Sequence, residues 1–287
     1  LRFNSSSGVY SASNALVSLS DGTRLGTAAA RTLNISNASG GFSTSPSFAS
    51  AKLHAGDVDG DGRDDLVVVR RASTICGTNL AVSNVHLSAG NGTFAAPVYS
   101  LLSSACSNAS FVGDMLADVN NDGLADLVGD RAYSIYGAVC SDCDSDVSIV
   151  ANLGNGNGTF GGSIDSTGWS GAGVGIGSFT ATFADVNGDK FADRVAIKGG
   201  SSVSVLVSLG RGNGSFLAGS VTSATGASTA WINGGPVTVA DVDGDGRVSP
   251  VATYCQGTNW RLLTLAPSAA FNGLLTSATL PSGGSVG

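Results

Sequence analysis

The chain has 287 residues, 42% of them hydrophobic, enough to bury a substantial core in one or two domains. It contains no Glu, one Gln, one Met and three Lys, so the long unbranched side chains that favour helices are nearly absent beside abundant Val, Ser, Thr and Gly; this excludes a helical protein and predicts strands joined by tight turns. The formal charge of −7 without any basic run excludes a phosphate-neutralising nucleic-acid binder, and uncharged stretches such as 166–184 and 219–240 are too rich in Gly, Ser and Thr to insert in a bilayer.

In chain order, residues 1–40 offer short strand-like runs at 9–13, 15–20 and 27–35, the last two separated by an Asp21-Gly22 turn. A full repeat then opens with a strand at 48–55 and reaches Asp57-Val58-Asp59-Gly60-Asp61-Gly62-Arg63-Asp64-Asp65. Carboxylates at the first, third, fifth and ninth positions, with glycine at the sixth, can fold a short loop around one hard cation, the seventh residue, Arg63, adding its backbone carbonyl; calcium is the natural occupant. The loop leads into Leu66-Val67-Val68-Val69, an unbroken apolar run of the kind found in strands buried on both faces, and then into a third strand at 80–87 and a fourth at 97–102.

The loop recurs with Asp118, Asn120, Asp122, Leu124 and Asp126 at the ligand positions, then with Asp185, Asn187, Asp189, Phe191 and Asp193, and finally with Asp241, Asp243, Asp245 and Arg247, at spacings of 61, 67 and 56 residues. All 21 acidic residues are Asp and 14 of them lie in these four loops, so the acidity is local, and one divalent ion per loop would bring the chain close to neutrality. The copies form a graded series. Asn120 and Asn187 replace the third-position acid, Lys190 replaces the sixth-position glycine, and Ser249 replaces the ninth-position acid of the last loop, so the first loop is expected to bind most tightly and three to four ions are expected in all. Strands flank each copy, which separates these loops from helix-flanked EF-hands, and a site that coordinates through most of its acids leaves no open position for chemistry.

A second signal runs in step with the first. Gly90-Asn91-Gly92-Thr93-Phe94 returns as Gly156-Asn157-Gly158-Thr159-Phe160 and as Gly212-Asn213-Gly214-Ser215-Phe216. Asn-Gly is expected to supply the positive backbone angles of a two-residue hairpin, with the Phe returning to the core. The later strands are read at 127–136 and 147–153, then 195–197 and 203–209, and then 251–255, 260–265 and 274–280, leaving 282–287 as a loose tail. Each repeat therefore holds about four antiparallel strands. Such sheets cannot bury both faces alone and are expected to stack, which in a radial arrangement makes a β-propeller.

The acidic loop, the apolar strand after it and the Gly-x-Gly-Thr-Phe turn together resemble the FG-GAP or VCBS repeat over roughly residues 40–280. The resemblance implies the calcium-binding propeller architecture of integrin alpha subunits and of related bacterial, algal and fungal extracellular proteins. The best-known members close with seven blades, whereas this chain has room for four full repeats and a partial one. The expectation is a single all-β domain over 1–287, a five-bladed propeller of four-stranded antiparallel blades at 41–105, 106–172, 173–228 and 229–287, with a partial blade at 1–40 that lacks an acidic loop.

Five cysteines and seven Asn-x-Ser/Thr sequons, together with loops suited to millimolar calcium, favour an extracellular, oxidising setting. Cys140 and Cys143 are read as a short disulfide loop, since no second Cys pair or neighbouring His completes a zinc set; Cys76 and Cys106 bracket one repeat and form a second candidate pair, leaving Cys255 as a buried thiol or a link to another chain. The sequons at Asn91, Asn157 and Asn213 belong to the recurring turn, whereas Asn4, Asn34, Asn37 and Asn108 have no such explanation and are the stronger glycosylation candidates. His54 and His86 lie on predicted strands outside any nucleophile motif and are read as structural, as are Trp169, Trp231 and Trp260, read as packing residues rather than sugar platforms; the Gly171–Gly177 run is read as a connection, not a dinucleotide site.

The functional expectation is a secreted, non-enzymatic, calcium-stabilised propeller that binds a protein or glycan ligand. One alternative is a structural subunit, glycosylated at such sequons, that binds copies of itself head-to-tail through the incomplete first blade to form a filament. Another is an accessory domain of a polysaccharide- or lipid-active enzyme.

Overall fold

The computed structural model describes residues 2–6, 9–18, 24–25, 29–33, 52–75, 78–102, 109–133, 147–169, 179–198, 203–224, 237–242, 248–256, 259–264, 278–279 and 285–286. Among them there is no helix, and so none long and apolar enough to cross a membrane. The chain divides into two compact units, one of Leu1–Leu116, Asp122–Val128 and Asn152–Ser163 and the other of Ala117–Asn121, Gly129–Ala151 and Ile164–Gly287.

Strands β1 (Arg2–Ser6), β2 (Val9–Val17) and β3 (Ala29–Leu33) make a three-stranded antiparallel sheet in chain order. The two runs expected at 9–13 and 15–20 are one strand, because Asn14 stays in register opposite both Arg2 and Thr32 and the ladder passes through it. The first four-stranded sheet follows: β4 (Lys52–Gly56), β5 (Asp65–Ile75), β6 (Thr78–His86) and β7 (Val98–Leu101), each pairing with the next. Here β5 runs six residues past the apolar stretch that predicted it, ending at an irregularity between Ser73 and Ile75.

The second sheet repeats this order with β8 (Ala109–Ala117), β9 (Asp126–Tyr133), β10 (Val147–Gly154) and β11 (Phe160–Trp169), and the third with β12 (Phe179–Ala184), β13 (Asp193–Lys198), β14 (Val203–Ser208) and β15 (Ser220–Ala224). Strands β16 (Val237–Ala240), β17 (Ser249–Gln256) and β18 (Asn259–Thr264) form a three-stranded sheet. A last pair joins β19 (Ala278–Thr279) to β20 (Ser285–Val286), so part of the expected loose tail is strand. The fold is thus all-β, with up-and-down four-stranded sheets of the propeller-blade type at three of the four predicted blades.

Neighbouring residues on a strand point to opposite faces, so consecutive buried residues mark a sheet covered on both sides. Val67, Val68 and Val69 on β5 are buried, as are Leu127 and Val128 on β9, Ile149, Val150 and Ala151 on β10, and Val195, Ala196 and Ile197 on β13. These strands form the core, and the apolar runs in the sequence reported them directly.

The recurring Phe ties one sheet to the sheet before it. Phe160 donates its N–H to the hydroxyl of Ser100 on β7 at 3.0 Å, and Phe216 donates its N–H to the hydroxyl of Ser166 on β11 at 2.9 Å. Both rings are buried, and Phe216 meets Phe183 edge-on at 5.7 Å. Asn152 adds a further tie, donating through Nδ2 to the carbonyl oxygens of Leu102 (3.1 Å) and Gly161 (3.0 Å). In the second unit, Arg194 at the start of β13 is fully buried with its Nε 2.7 Å from Oδ1 of Asp130 on β9.

The hairpin turn differs from the expected one. Positive φ falls on the two glycines that flank each Asn, Gly90 and Gly92, Gly156 and Gly158, Gly212 and Gly214, and not on the Asn. The Asn instead closes the turn with its side chain: Oδ1 of Asn91, Asn157 and Asn213 accepts the backbone N–H two residues on, at 3.0 Å in each case, and the hydroxyl of Thr93, Thr159 or Ser215 as well. The turn is wider than two residues because Ala89 and Thr93 still pair across it.

Candidate cation-binding loops

The first loop spans the junction of β4 and β5, where Gly56 and Asp65 are paired across the ladder. Val58, the second residue, is fully buried and plugs the loop from below, while Gly60 and Gly62 carry φ of 82° and 80° and turn the chain back. Asp57 is the hub. Its Oδ1 accepts the N–H of Gly60 (2.7 Å) and Asp61 (3.2 Å), and its Oδ2 accepts that of Gly62 (2.8 Å). Asp59 accepts from Asp61 at 3.2 Å and Asp61 from Arg63 at 2.9 Å, and the Arg63 guanidinium pairs with the other oxygen of Asp61. The curl brings one oxygen each of Asp57, Asp59 and Asp61 within 4.8 Å of one another. Three converging carboxylates on a largely exposed loop are a hard, oxygen-only donor set, and they fit a hard divalent cation. Burial alone would push the Asp57 carboxyl up, but the amides of Gly62, Gly60, Asp61 and Asp59 together hold it below the usual carboxylate range.

Asp65, the ninth residue, is fully buried and turns to the backbone, taking the N–H of Val58 on Oδ2 (3.1 Å) and of Ser88 on Oδ1 (2.8 Å). It thereby clamps the loop to the end of β6. Burial raises its pKa, against the pull of the Ser88 and Val58 amides and with the help of the Asp59 and Asp61 charges.

The third loop reproduces this geometry. Val186 is buried; Asp185 accepts from Gly188 (2.6 Å), Asp189 (3.2 Å) and Lys190 (2.8 Å); Asn187 Oδ1 accepts from Asp189 (2.8 Å), and Asp189 accepts from Phe191 (2.9 Å). Asp193 clamps Val186 (3.1 Å) and Gly210 (2.8 Å), and its burial, with the charges of Asp189 and Asp185, pushes its carboxyl up to about 6. Lys190 stands in the glycine position with φ 74° and is exposed.

In the second loop Asp118 accepts from Asn120 (3.3 Å) and Asn121 (2.6 Å), Asp122 accepts from Leu124 (2.9 Å), and Asp126 is fully buried and accepts from Gly154 (2.8 Å). Of the fourth loop, Asp241 and Val242 are described and exposed; Asp243, Asp245 and Arg247 lie outside the described residues. Ser249 is buried opposite Ala240, the register that pairs Asp193 with Ala184, so it sits where the other loops have their clamp.

The structure adds two features to the spacing pattern: one is the Val at the second position of all four loops, which recurs in the sequence and is buried in the first three. The other is the side chain at the seventh position, entered above only for its carbonyl. Arg63 lies over Gly90, Leu124 over Gly156 and Phe191 over Gly212, so each covers the glycine of its own hairpin turn. Arg63 also donates through Nε to the Ser88 carbonyl at 3.3 Å.

The other candidates are dispersed. Asn91, Asn157 and Asn213 are exposed with their Oδ1 atoms engaged in the turn, and Asn4 lies on β1 opposite Ala12. Cys255 lies on β17 opposite Trp260, and Trp169 ends β11. Asn34, Asn37, Asn108, Cys76, Cys106, Cys140, Cys143, Trp231 and the Gly171–Gly177 run lie outside the described residues. His86 is buried with Nδ1 3.4 Å from the Ala95 carbonyl oxygen, and burial lowers its pKa. His54, paired with Val67, is lowered by burial and by Lys52, against Asp114.

The profile of the FG-GAP-like repeat family matches residues 57–129 and 185–248, which include the first three acidic loops and the opening of the fourth. No curated protein matches. Among solved structures, the chain is similar to a chain of the Photorhabdus luminescens Tc holotoxin pore, at 16% identity over 91% of this chain and 13% of that one with a TM-score of 0.42. It is also similar to the exotype rhamnogalacturonan lyase YesX, at 17% identity over 89% of this chain and 53% of that one with a TM-score of 0.46. The chain spans about half of the lyase and a small part of the toxin chain. FG-GAP-like repeats are thus detected at residues 57–129 and 185–248, and over those residues the chain is similar to FG-GAP repeat proteins.

Proposed function

We propose that the chain is a calcium-stabilised β-propeller that works outside the cell as a binding module for a protein or glycan ligand. The observation that carries this reading is the convergence of Asp57, Asp59 and Asp61 in a loop set at the head of a buried strand, with the same loop built again at Asp185. An oxygen-only, flexible set of this kind suits calcium better than the smaller magnesium, which demands a near-octahedral shell and gives up its waters reluctantly. The ion is structural, because the ninth-position acids that would complete its shell also tie the loop to the sheet. Calorimetric titration with calcium is expected to give saturable heat at three or four sites, and glycan-array or pull-down binding is expected to disappear in chelator. Absence of calcium heat up to millimolar concentration sinks the reading.

One observation favours a second reading, assembly with copies of itself. Phe94 is only half-buried, whereas Phe160 and Phe216 are buried and tied to a hydroxyl on the preceding sheet. A strand from a second copy that covered Phe94 would join molecules head-to-tail. Electron microscopy and light scattering test it: filaments or a concentration-dependent mass support assembly, and a constant monomer mass removes it.

A further inference from the structure

One peptide group joins the first two loops. Ala125 donates its backbone N–H to the carbonyl oxygen of Asp57 at 2.7 Å. Asp57 is the hub of the first loop, and its side chain organises Gly60, Asp61 and Gly62. The carbonyl of that same peptide belongs to Leu124, the seventh residue of the second loop, where a calcium loop offers its backbone oxygen. The N–H end of the peptide thus serves one loop, and its C=O end is the seventh-position oxygen that the next loop would offer a cation. Packing leaves little slack between them: a methyl group built on Gly60 would meet Leu124 Cδ2 at 3.1 Å, and one on Gly56 would meet Leu116 Cδ1 at 3.0 Å and Ala125 Cβ at 3.3 Å.

We propose that the Asp57 and Asp118 loops bind cations as a cooperative pair, coupled through the Leu124–Ala125 peptide. A cation drawn to the Leu124 oxygen polarises the peptide and makes the Ala125 N–H a stronger donor to Asp57, and it also fixes the backbone on which the first loop rests. Linkage makes the effect reciprocal, so occupancy of either loop strengthens the other by the same factor. The proposal rests on the reading of both loops as cation sites.

Calcium titration of the whole chain followed by NMR separates the two claims, with the Gly60 and Gly123 amides reporting the first and second loops. In the wild type, the two amides are expected to titrate together, with the Ala125 amide proton moving downfield in step. In Asp118→Ala, half-saturation at Gly60 is expected to rise by about five-fold or more, and in Asp57→Ala half-saturation at Gly123 is expected to rise by a matching factor. Leu124→Ala keeps every carboxylate and loosens the contact with Gly60, so it is expected to separate the two curves, while Leu124→Met restores them; this variant carries the test should an aspartate variant fail to fold. Half-saturation at each loop that stays within about two-fold in the variants, with the Ala125 amide unmoved in the wild type, overturns the coupling while leaving the cation reading intact. Gly60 and Gly123 amides that do not move at millimolar calcium overturn the cation reading, and the coupling with it.

Discussion

Asp65, Asp126 and Asp193 occupy the ninth position of their loops, and each is fully buried while accepting backbone N–H groups from elsewhere in its sheet. Spacing alone marks them as ligands; depth and hydrogen bonding also make them clamps. The consequence is clearest at Asp193, whose carboxyl is raised from 3.8 to about 6 by burial and by the nearby charges of Asp189 and Asp185. A group whose folded pKa lies above its unfolded value contributes stability that is complete below the unfolded value and is lost as pH rises through the folded one. In chelator, therefore, the Asp193 contribution should fall between about pH 4 and pH 6, by an amount on the order of 2 kcal/mol. A carboxyl NMR titration in chelator should find a midpoint near 6, and a midpoint near 4 would remove the argument.

Lys190 makes the complementary point. It holds a left-handed φ of 74° where the first loop has Gly62, a conformation that costs a side-chain-bearing residue about 1–2 kcal/mol. Lys190→Gly is expected to stabilise the fold by about 1 kcal/mol in urea unfolding and to tighten cation binding at the third loop, since it also removes a positive charge. Neither effect should follow from Lys190→Arg.

At the scale of elements, the strands that form the core were legible because three or four apolar residues in succession leave little choice but burial on both faces, as with Val67, Val68 and Val69. The ends of strands were less legible. Asn14 passes through the middle of β2 although Asn is a turn-former, because partners on both sides hold it in the ladder. The recurring Asn-Gly pair suggested a two-residue turn, yet the flanking glycines take the left-handed angles and the Asn side chain closes the loop. Contacts between sheets were illegible, since nothing about a lone Ser100, Ser166 or Asn152 in the sequence says which neighbour it will meet.

The Asp130–Arg194 pair belongs to this class, an ionic contact with no counterpart at the equivalent positions of the first repeat, Val69 and Leu66. Arg194→Leu strands a buried carboxylate and should cost about 3–5 kcal/mol in chemical denaturation, whereas the double replacement Asp130→Leu with Arg194→Leu should recover most of that loss. A double variant no more stable than Arg194→Leu alone would mean that the pair matters for more than its mutual charge.

For the molecule as a whole, repetition carried the reading. Four acidic loops and three hairpin turns in fixed phase predicted the four-stranded sheets and the strand junctions at which the loops sit, and the family match covers the same loops. Composition foretold the all-β class for a simple physical reason, the lack of residues that favour helices. What repetition could not report is how one loop leans on the next, as Ala125 does on Asp57, because that contact joins residues 68 apart and leaves no periodic trace.

The central claim is that cations bound in the acidic loops stabilise the folded sheets. Thermal unfolding of the chain in chelator and in a calcium series tests it most directly, because a ligand that binds only the folded state raises the midpoint in proportion to the logarithm of its concentration above Kd. The account predicts a midpoint that climbs with calcium through the millimolar range, with the climb reduced in Asp57→Ala. A midpoint that is the same in chelator and in millimolar calcium would contradict it.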